Sequence, residues 1–188
     1  HLLKNDESTV RDCVPLEGKR IKLRGHATAR EVMEIMGQER WSRLCSFAMV
    51  RNPWDRFVSA YSFYRNGLAA EGVMSGRDSQ WRTILKVASA KLLPFNWWVW
   101  IYKPLPYSEH VTDRKGNIIV SKVYRFEEYT SAFKDICKKV GIPEPEMKKA
   151  NTSKHKDYRE YYTKRSIRLV AKRCRSDIDL FGYTFDGS

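Results

Sequence analysis

No stretch of this chain stays apolar for the ~18 residues that a membrane-spanning helix requires, and the aromatic run from Phe95 to Tyr102 is too short to serve. Cysteine is sparse: Cys13, Cys45, Cys137 and Cys174 form no Cys-x-x-Cys pair and share no zinc-like spacing with histidine, so no disulfide framework or metal knuckle follows. Cys137 and Cys174 fall on apolar helical stripes and read as small buried hydrophobes. Gly-x-x-x-x-Gly-Lys-Ser/Thr is absent, which sets aside a P-loop kinase. There is no internal repeat, no low-complexity tract and no block of five like charges that would mark a basic tail. No signal peptide is visible, and the chain opens on His1 rather than Met.

What is present is 188 residues, enough for one domain with a core, at 42% apolar content. Aromatics make up 13%, with six Trp and ten Tyr, so much flat apolar surface must be buried or face a ligand. The net charge of +13 points to an anionic partner: a nucleotide, an acidic glycan, nucleic acid or an anionic membrane. Composition does not choose among them.

Residues 20–24 suit a short strand. Thr28 and Glu31 form a capping-box pattern that opens a helix ending at Gly37. Phe47–Val50 suits a strand that runs into Asn52 as N-cap, Pro53 at the first helical position and Asp55 at the third. Trp54, Phe57, Val58 and Tyr61 then recur at i, i+3, i+4 and i+7, the stripe of a helix packed on a sheet. Helices are expected over 79–92, 128–140 and 166–181, a hairpin over 108–124 around Asp113–Asn117, and a loop over 142–157. Alternating strands and helices give an α/β class.

The turn after Val50 is where such folds collect ligands. A helix N-terminus offers unpaired N–H groups and partial positive charge. Arg51 stands just before it, with a planar guanidinium suited to phosphate. Ser59 lies two turns into the helix. Arg56 shares the helix and suits pairing with an acid. On spacing alone, the same turn reads first as an ordinary βα turn with Arg51 held in a structural salt bridge. Trp97, Trp98 and Trp100 suit either core packing or stacking on a sugar or base. Arg125 and Glu127 suit structural ion pairs or the positioning of the hairpin.

The string Val50-Arg51-Asn52-Pro53-Trp54-Asp55-Arg56-Phe57-Val58-Ser59 resembles the 3′-phosphate motif of sulfotransferases that use PAPS (3′-phosphoadenosine 5′-phosphosulfate), in the branch of carbohydrate and heparan-type enzymes and bacterial relatives. Further segments resemble that family in order: Arg24 to Ala29, Gly116-Asn117-Ile118 with Arg125-Phe126-Glu127, Asn151 to Lys154 with Tyr158 to Tyr162, and Asp177 to Phe185. The resemblance implies a P-loop-NTPase-like fold with a central parallel sheet flanked by helices, a single sulfotransferase-like domain over 1–188, and PAPS as sulfuryl donor with no metal. It implies that Arg51 and Ser59 hold the 3′-phosphate, that Ser153 and Lys154 of the late loop assist, and that His26, in a Gly-His segment like that of heparan-type enzymes, is the catalytic base. The acceptor is then a hydroxyl on a glycan or small molecule. No nucleic acid is expected.

The family's other nucleotide loop, which wraps the 5′-phosphosulfate, is not found; Gly18-Lys19 lacks its hydroxyl pair and no strand is evident before it. By family order the loop belongs upstream of residue 1. It could instead come from a separate chain, or be absent from a non-catalytic relative. The alternative function is a basic module that binds a polyanion, a sulfated glycan or nucleic acid, without chemistry. Compartment is open, since a cytosolic enzyme and a Golgi luminal domain would look alike.

Overall fold

The computed structural model describes residues 13–16, 19–22, 27–67, 70, 72, 81–144 and 156–187, with side chains from residue 27 onward. The chain divides into two compact units, His1–Ala48 with Tyr107–Val123 and Met49–Pro106 with Tyr124–Ser188. Strands and helices mix throughout, so the class is α/β, with helix predominating.

In the first unit, β1 (Cys13–Leu16) pairs antiparallel with β2 (Lys19–Lys22), Leu16 opposite Lys19. The expected strand at 20–24 therefore starts one residue early, and a strand does precede Gly18-Lys19. Helix α1 (Ala29–Met36) begins at the predicted capping box: Glu31 N donates to Thr28 Oγ1 at 3.2 Å, and Thr28 N donates to the Glu31 carboxylate at 2.7 Å. Gly37, at φ 83°, ends it and opens the short α2 (Gln38–Ser42). Trp41 of α2 is buried and its Nε1 donates to Ile119 O at 2.8 Å.

The expected hairpin over 108–124 shrinks to a turn. Tyr107–Val111 is a helix, α6, and the only ladder contact around Asp113–Asn117 is the isolated bridge between Thr112 and Ile118. The turn itself is as read, because the Asp113 carboxylate accepts from Lys115 N at 2.8 Å and Asn117 N at 2.9 Å. These local bonds do not require strands on either side.

Strands β3 (Phe47–Val50) and β4 (Lys122–Arg125) pair as a small two-stranded parallel sheet. Lys122 N donates to Ser46 O at its entry, and Asn52 N donates to Glu127 beyond its exit. Phe47 is 46% exposed while Val50 is 1% exposed, so β3 is buried only toward its end, just before Pro53.

Helix α3 (Pro53–Asn66) organises the second unit. Its predicted stripe of Trp54, Phe57, Val58 and Tyr61 is buried. Helices α4 (Trp81–Leu92) and α5 (Phe95–Ile101) pack against it. The core between them is aromatic: Phe57 meets Tyr102 edge-on at 5.3 Å, Tyr61 meets Phe95 at 5.4 Å, and Trp98 stacks on Tyr102 at 4.3 Å. Trp98 is thus core, whereas Trp97 and Trp100 of the same short helix are exposed.

Helix α7 (Tyr129–Val140) ends at Gly141 in the left-handed conformation, φ 73°. Ala132, Ile136 and Cys137 of its stripe are buried, and Val140 is exposed. The expected helix over 166–181 is two helices, α8 (Lys164–Arg173) and α9 (Arg175–Phe181). Cys174 breaks them with φ −105° and ψ 27°. Val170, Cys174 and Asp177 stay buried across the break, so one buried stripe runs through it, and no Gly or Pro marks it.

Arginines tie this unit together through carbonyls at helix ends. Arg65 donates to Ala90 O at 2.6 Å and Lys91 O at 3.1 Å, at the end of α4. Arg173 donates to Val99 O, to Trp100 O at 2.6 Å and to Tyr102 O at 3.1 Å, at the end of α5. Arg125 donates to Phe181 O at 2.6 Å, at the end of α9. These are the carbonyls a helix leaves unpaired, and cations there also oppose the helix dipole.

Two outcomes test this packing. Phe57 is fully buried, so Phe57→Ala should lower unfolding free energy by about 3–5 kcal/mol. Urea titration checks this, and a loss under about 1 kcal/mol would remove Phe57 from the core. Cys45 is exposed while Cys137 and Cys174 are buried, and burial pushes the Cys174 thiol up to about 11. With a thiol reagent at pH 8, Cys45 should react at once and Cys174 only after denaturation. Because the raised folded pKa favours the protonated thiol, Cys174 supports the fold fully below its unfolded pKa. That support fades as pH rises toward 11.

Candidate functional site at the β3–α3 turn

The turn is built by Asn52, which is 4% exposed. Its Oδ1 accepts from Trp54 N at 3.0 Å and Asp55 N at 3.5 Å, and its carbonyl accepts from Arg56 N at 2.8 Å. Pro53 has no N–H to offer. The start of α3 is therefore satisfied from within. This corrects the expectation that the helix N-terminus itself presents unpaired N–H groups to an anion: the side chain that makes the helix start well also occupies its donors.

What the turn does present is Arg51. Its side chain lies along the first turns of α3, with Nε on Asp55 Oδ2 at 2.6 Å and Nη1 on Ser59 Oγ at 2.9 Å. Residues 51, 55 and 59 are successive i+4 positions, so one face of the helix receives the guanidinium. Phe126 covers it, ring centroid 4.6 Å from Cζ. A guanidinium held over a ring can still bond through the N–H edge in its own plane. The structural salt bridge that spacing suggested is present, and the Ser59 contact stands beside it.

Asn52 also binds outward. Its backbone N–H donates to Glu127 Oε1 at 2.7 Å, and its Nδ2 donates to Thr184 O at 2.9 Å. Glu127 accepts in turn from the Tyr183 hydroxyl at 3.1 Å. Arg125 lies over the Tyr183 ring at 4.9 Å. So Arg125 and Glu127, expected as ion-pair or hairpin residues, bind backbone and phenol groups of the C-terminal segment. Phe185 then seats against Trp54, Tyr158 and Tyr162 at 5.7, 5.8 and 5.6 Å. Tyr162 donates to Trp54 O at 2.9 Å, and burial pushes its phenol far above the ordinary value. Sequence reasoning marked the stretch from Gly182 to Phe185 only as family-like; a Tyr and a Phe two residues apart, Tyr183 buried and Phe185 half-buried, were the available signal for a clamp.

Arg56 pairs as read, at 4.0 Å from the buried Asp177, and also donates to Leu105 O at 2.9 Å. His26, Ser153 and Lys154 lie outside the described residues. Lys19 opens β2, paired antiparallel with β1, and Gly18 lies outside the described residues. Among the described residues no group of three or more His, Cys, Asp or Glu could hold a metal ion, and no helix is long and apolar enough to cross a membrane.

Comparison with curated proteins and with solved structures gives no match. Comparison with protein families gives one, to the model described as "Sulfotransferase family", over residues 16–184. That span includes β1's last residue, the Arg51–Ser59 turn and the clamp as far as Thr184. Because the match takes in most of the chain, this protein belongs to the Sulfotransferase family.

Proposed function

We propose that the chain is a sulfotransferase domain that uses PAPS and delivers the sulfuryl group to a hydroxyl of a glycan or small-molecule acceptor. The observation that carries this reading is the 2.9 Å contact between Arg51 and Ser59, which brings two donors of the family-like motif to one place. A guanidinium has five N–H groups. Among the described residues, Asp55 and Ser59 take two of Arg51's. The remaining edge suits a phosphate dianion held in the plane.

Asp55 balances the charge of Arg51, so a 3′-phosphate needs further positive charge. Lys154, with Ser153 beside it, is assigned that part, and Arg51 and Ser59 the first grip. PAPS supplies the sulfuryl group when bound. His26 is assigned the proton: its imidazole takes it from the acceptor hydroxyl as the new S–O bond forms and the bond to the 5′-phosphate breaks, leaving adenosine 3′,5′-bisphosphate. The fold is assigned to the P-loop-NTPase-like sulfotransferases, as one functional domain over 1–188. The carbohydrate and heparan-type branch is the proposed source of its acceptor preference.

Two measurements test the assignment. In calorimetry, adenosine 3′,5′-bisphosphate should bind saturably, and Arg51→Ala should weaken it by about 10–100-fold, the worth of a hydrogen bond to a charged group. Arg51→Lys should recover only part of this, since an ammonium lacks the planar fork. Equal binding by Arg51→Ala, or equal affinity for unrelated anions, would favour a general polyanion module instead. Separately, His26→Ala should cut sulfuryl transfer by ~10²–10⁴-fold while nucleotide binding stays intact; unchanged turnover removes His26 from the mechanism.

A further inference from the structure

Helices α5 and α8 carry a surface that the Arg51 turn does not use. They are joined along their length. Ser166 Oγ donates to Asn96 Oδ1 at 2.6 Å near their starts, and Arg173 binds the carbonyls at the end of α5. On this fixed pair, Trp97 is 69% exposed, Trp100 41% and Ile101 53%, at i, i+3 and i+4 of α5. Alongside, α8 exposes Arg165, Arg168 and Lys172 at i, i+3 and i+7. Arg165 lies over the Trp100 ring at 4.9 Å, which places the cationic row against the aromatic one. Neither α8 nor the whole stretch from Trp81 to Pro106 contains an Asp or Glu.

We propose that this α5–α8 face docks on an anionic lipid surface. The charge complementarity is one-sided, since cations stand with no acid on either helix. Trp and Arg or Lys side chains set an apolar body against a polar head, the arrangement of membrane-surface helices. Exposed Ile101 favours lipid over nucleic acid or sugar, because an aliphatic chain stacks on neither base nor pyranose but partitions into the acyl boundary. The surface thereby holds the domain at a bilayer peripherally. This inference stands whether or not the proposed activity holds.

The test is flotation of the whole chain with vesicles of phosphatidylcholine containing about 30% phosphatidylserine, against pure phosphatidylcholine, at about 150 mM salt. Binding should be confined to the anionic vesicles. Brominated acyl chains should quench part of the Trp fluorescence. The triple change Arg165→Gln, Arg168→Gln and Lys172→Gln should lower partitioning by about 100-fold, roughly fivefold per charge. Trp97→Ser, at a side chain too exposed to hold the core, should lower it by about tenfold or more. Both variants should keep the wild-type melting temperature and nucleotide binding. Equal binding to neutral vesicles, or no binding to either, would overturn the proposal. So would retention by either variant, or capture by soluble heparin or single-stranded DNA without vesicle binding.

Discussion

The side chain and backbone of Asn52 make four kinds of contact at one buried point, and the second unit is arranged around them. One oxygen starts α3. One amide holds the carbonyl of Thr184, near the far end of the chain. The backbone N–H takes the Glu127 carboxylate from the turn after β4. The backbone carbonyl closes the first helical bond, to Arg56 N. A buried amide with this many partners is costly to move, because each group left unpaired would carry its desolvation penalty. Arg51 is the preceding residue, so its placement over Asp55 and Ser59 inherits that rigidity.

The basic balance of the chain takes on a different meaning in this light. A net charge of +13 reads as a call for an anionic partner. Yet Arg56, Arg65, Arg125, Arg159 and Arg173 all donate to backbone carbonyls within the second unit. Burial even pulls Arg173 below its ordinary value, though a guanidinium there stays charged. These five of the chain's eighteen arginines thus serve helix ends and loop closures. The cations left for a partner are fewer, and more localised, than composition implies.

Local chemistry was legible where a short stretch specifies its own geometry. The Thr28–Glu31 box, the Asn52-Pro53 start of α3, the Asp113–Asn117 turn and the Gly141 stop each depend on residues within about four positions, and each is found as read. The four-residue stripe of α3 was legible for the same reason: burial repeats with the helical period. Periodicity failed at Cys174, where the backbone turns without disturbing the stripe, and over 107–111, where five residues are too few for a period to tell helix from strand.

The amino-acid order by itself determined the family resemblance, the α/β class and the pairing of Arg51 with a helix that carries Ser59 one face down, because these rest on spacing along one element. Only tertiary structure decided that Phe126 lies over Arg51, that Glu127 and Thr184 clamp Asn52, and that Trp97 and Trp100 face outward while Trp98 is buried. Those contacts join residues up to 132 positions apart. No local pattern encodes them, since they follow from how separate elements share one aromatic core.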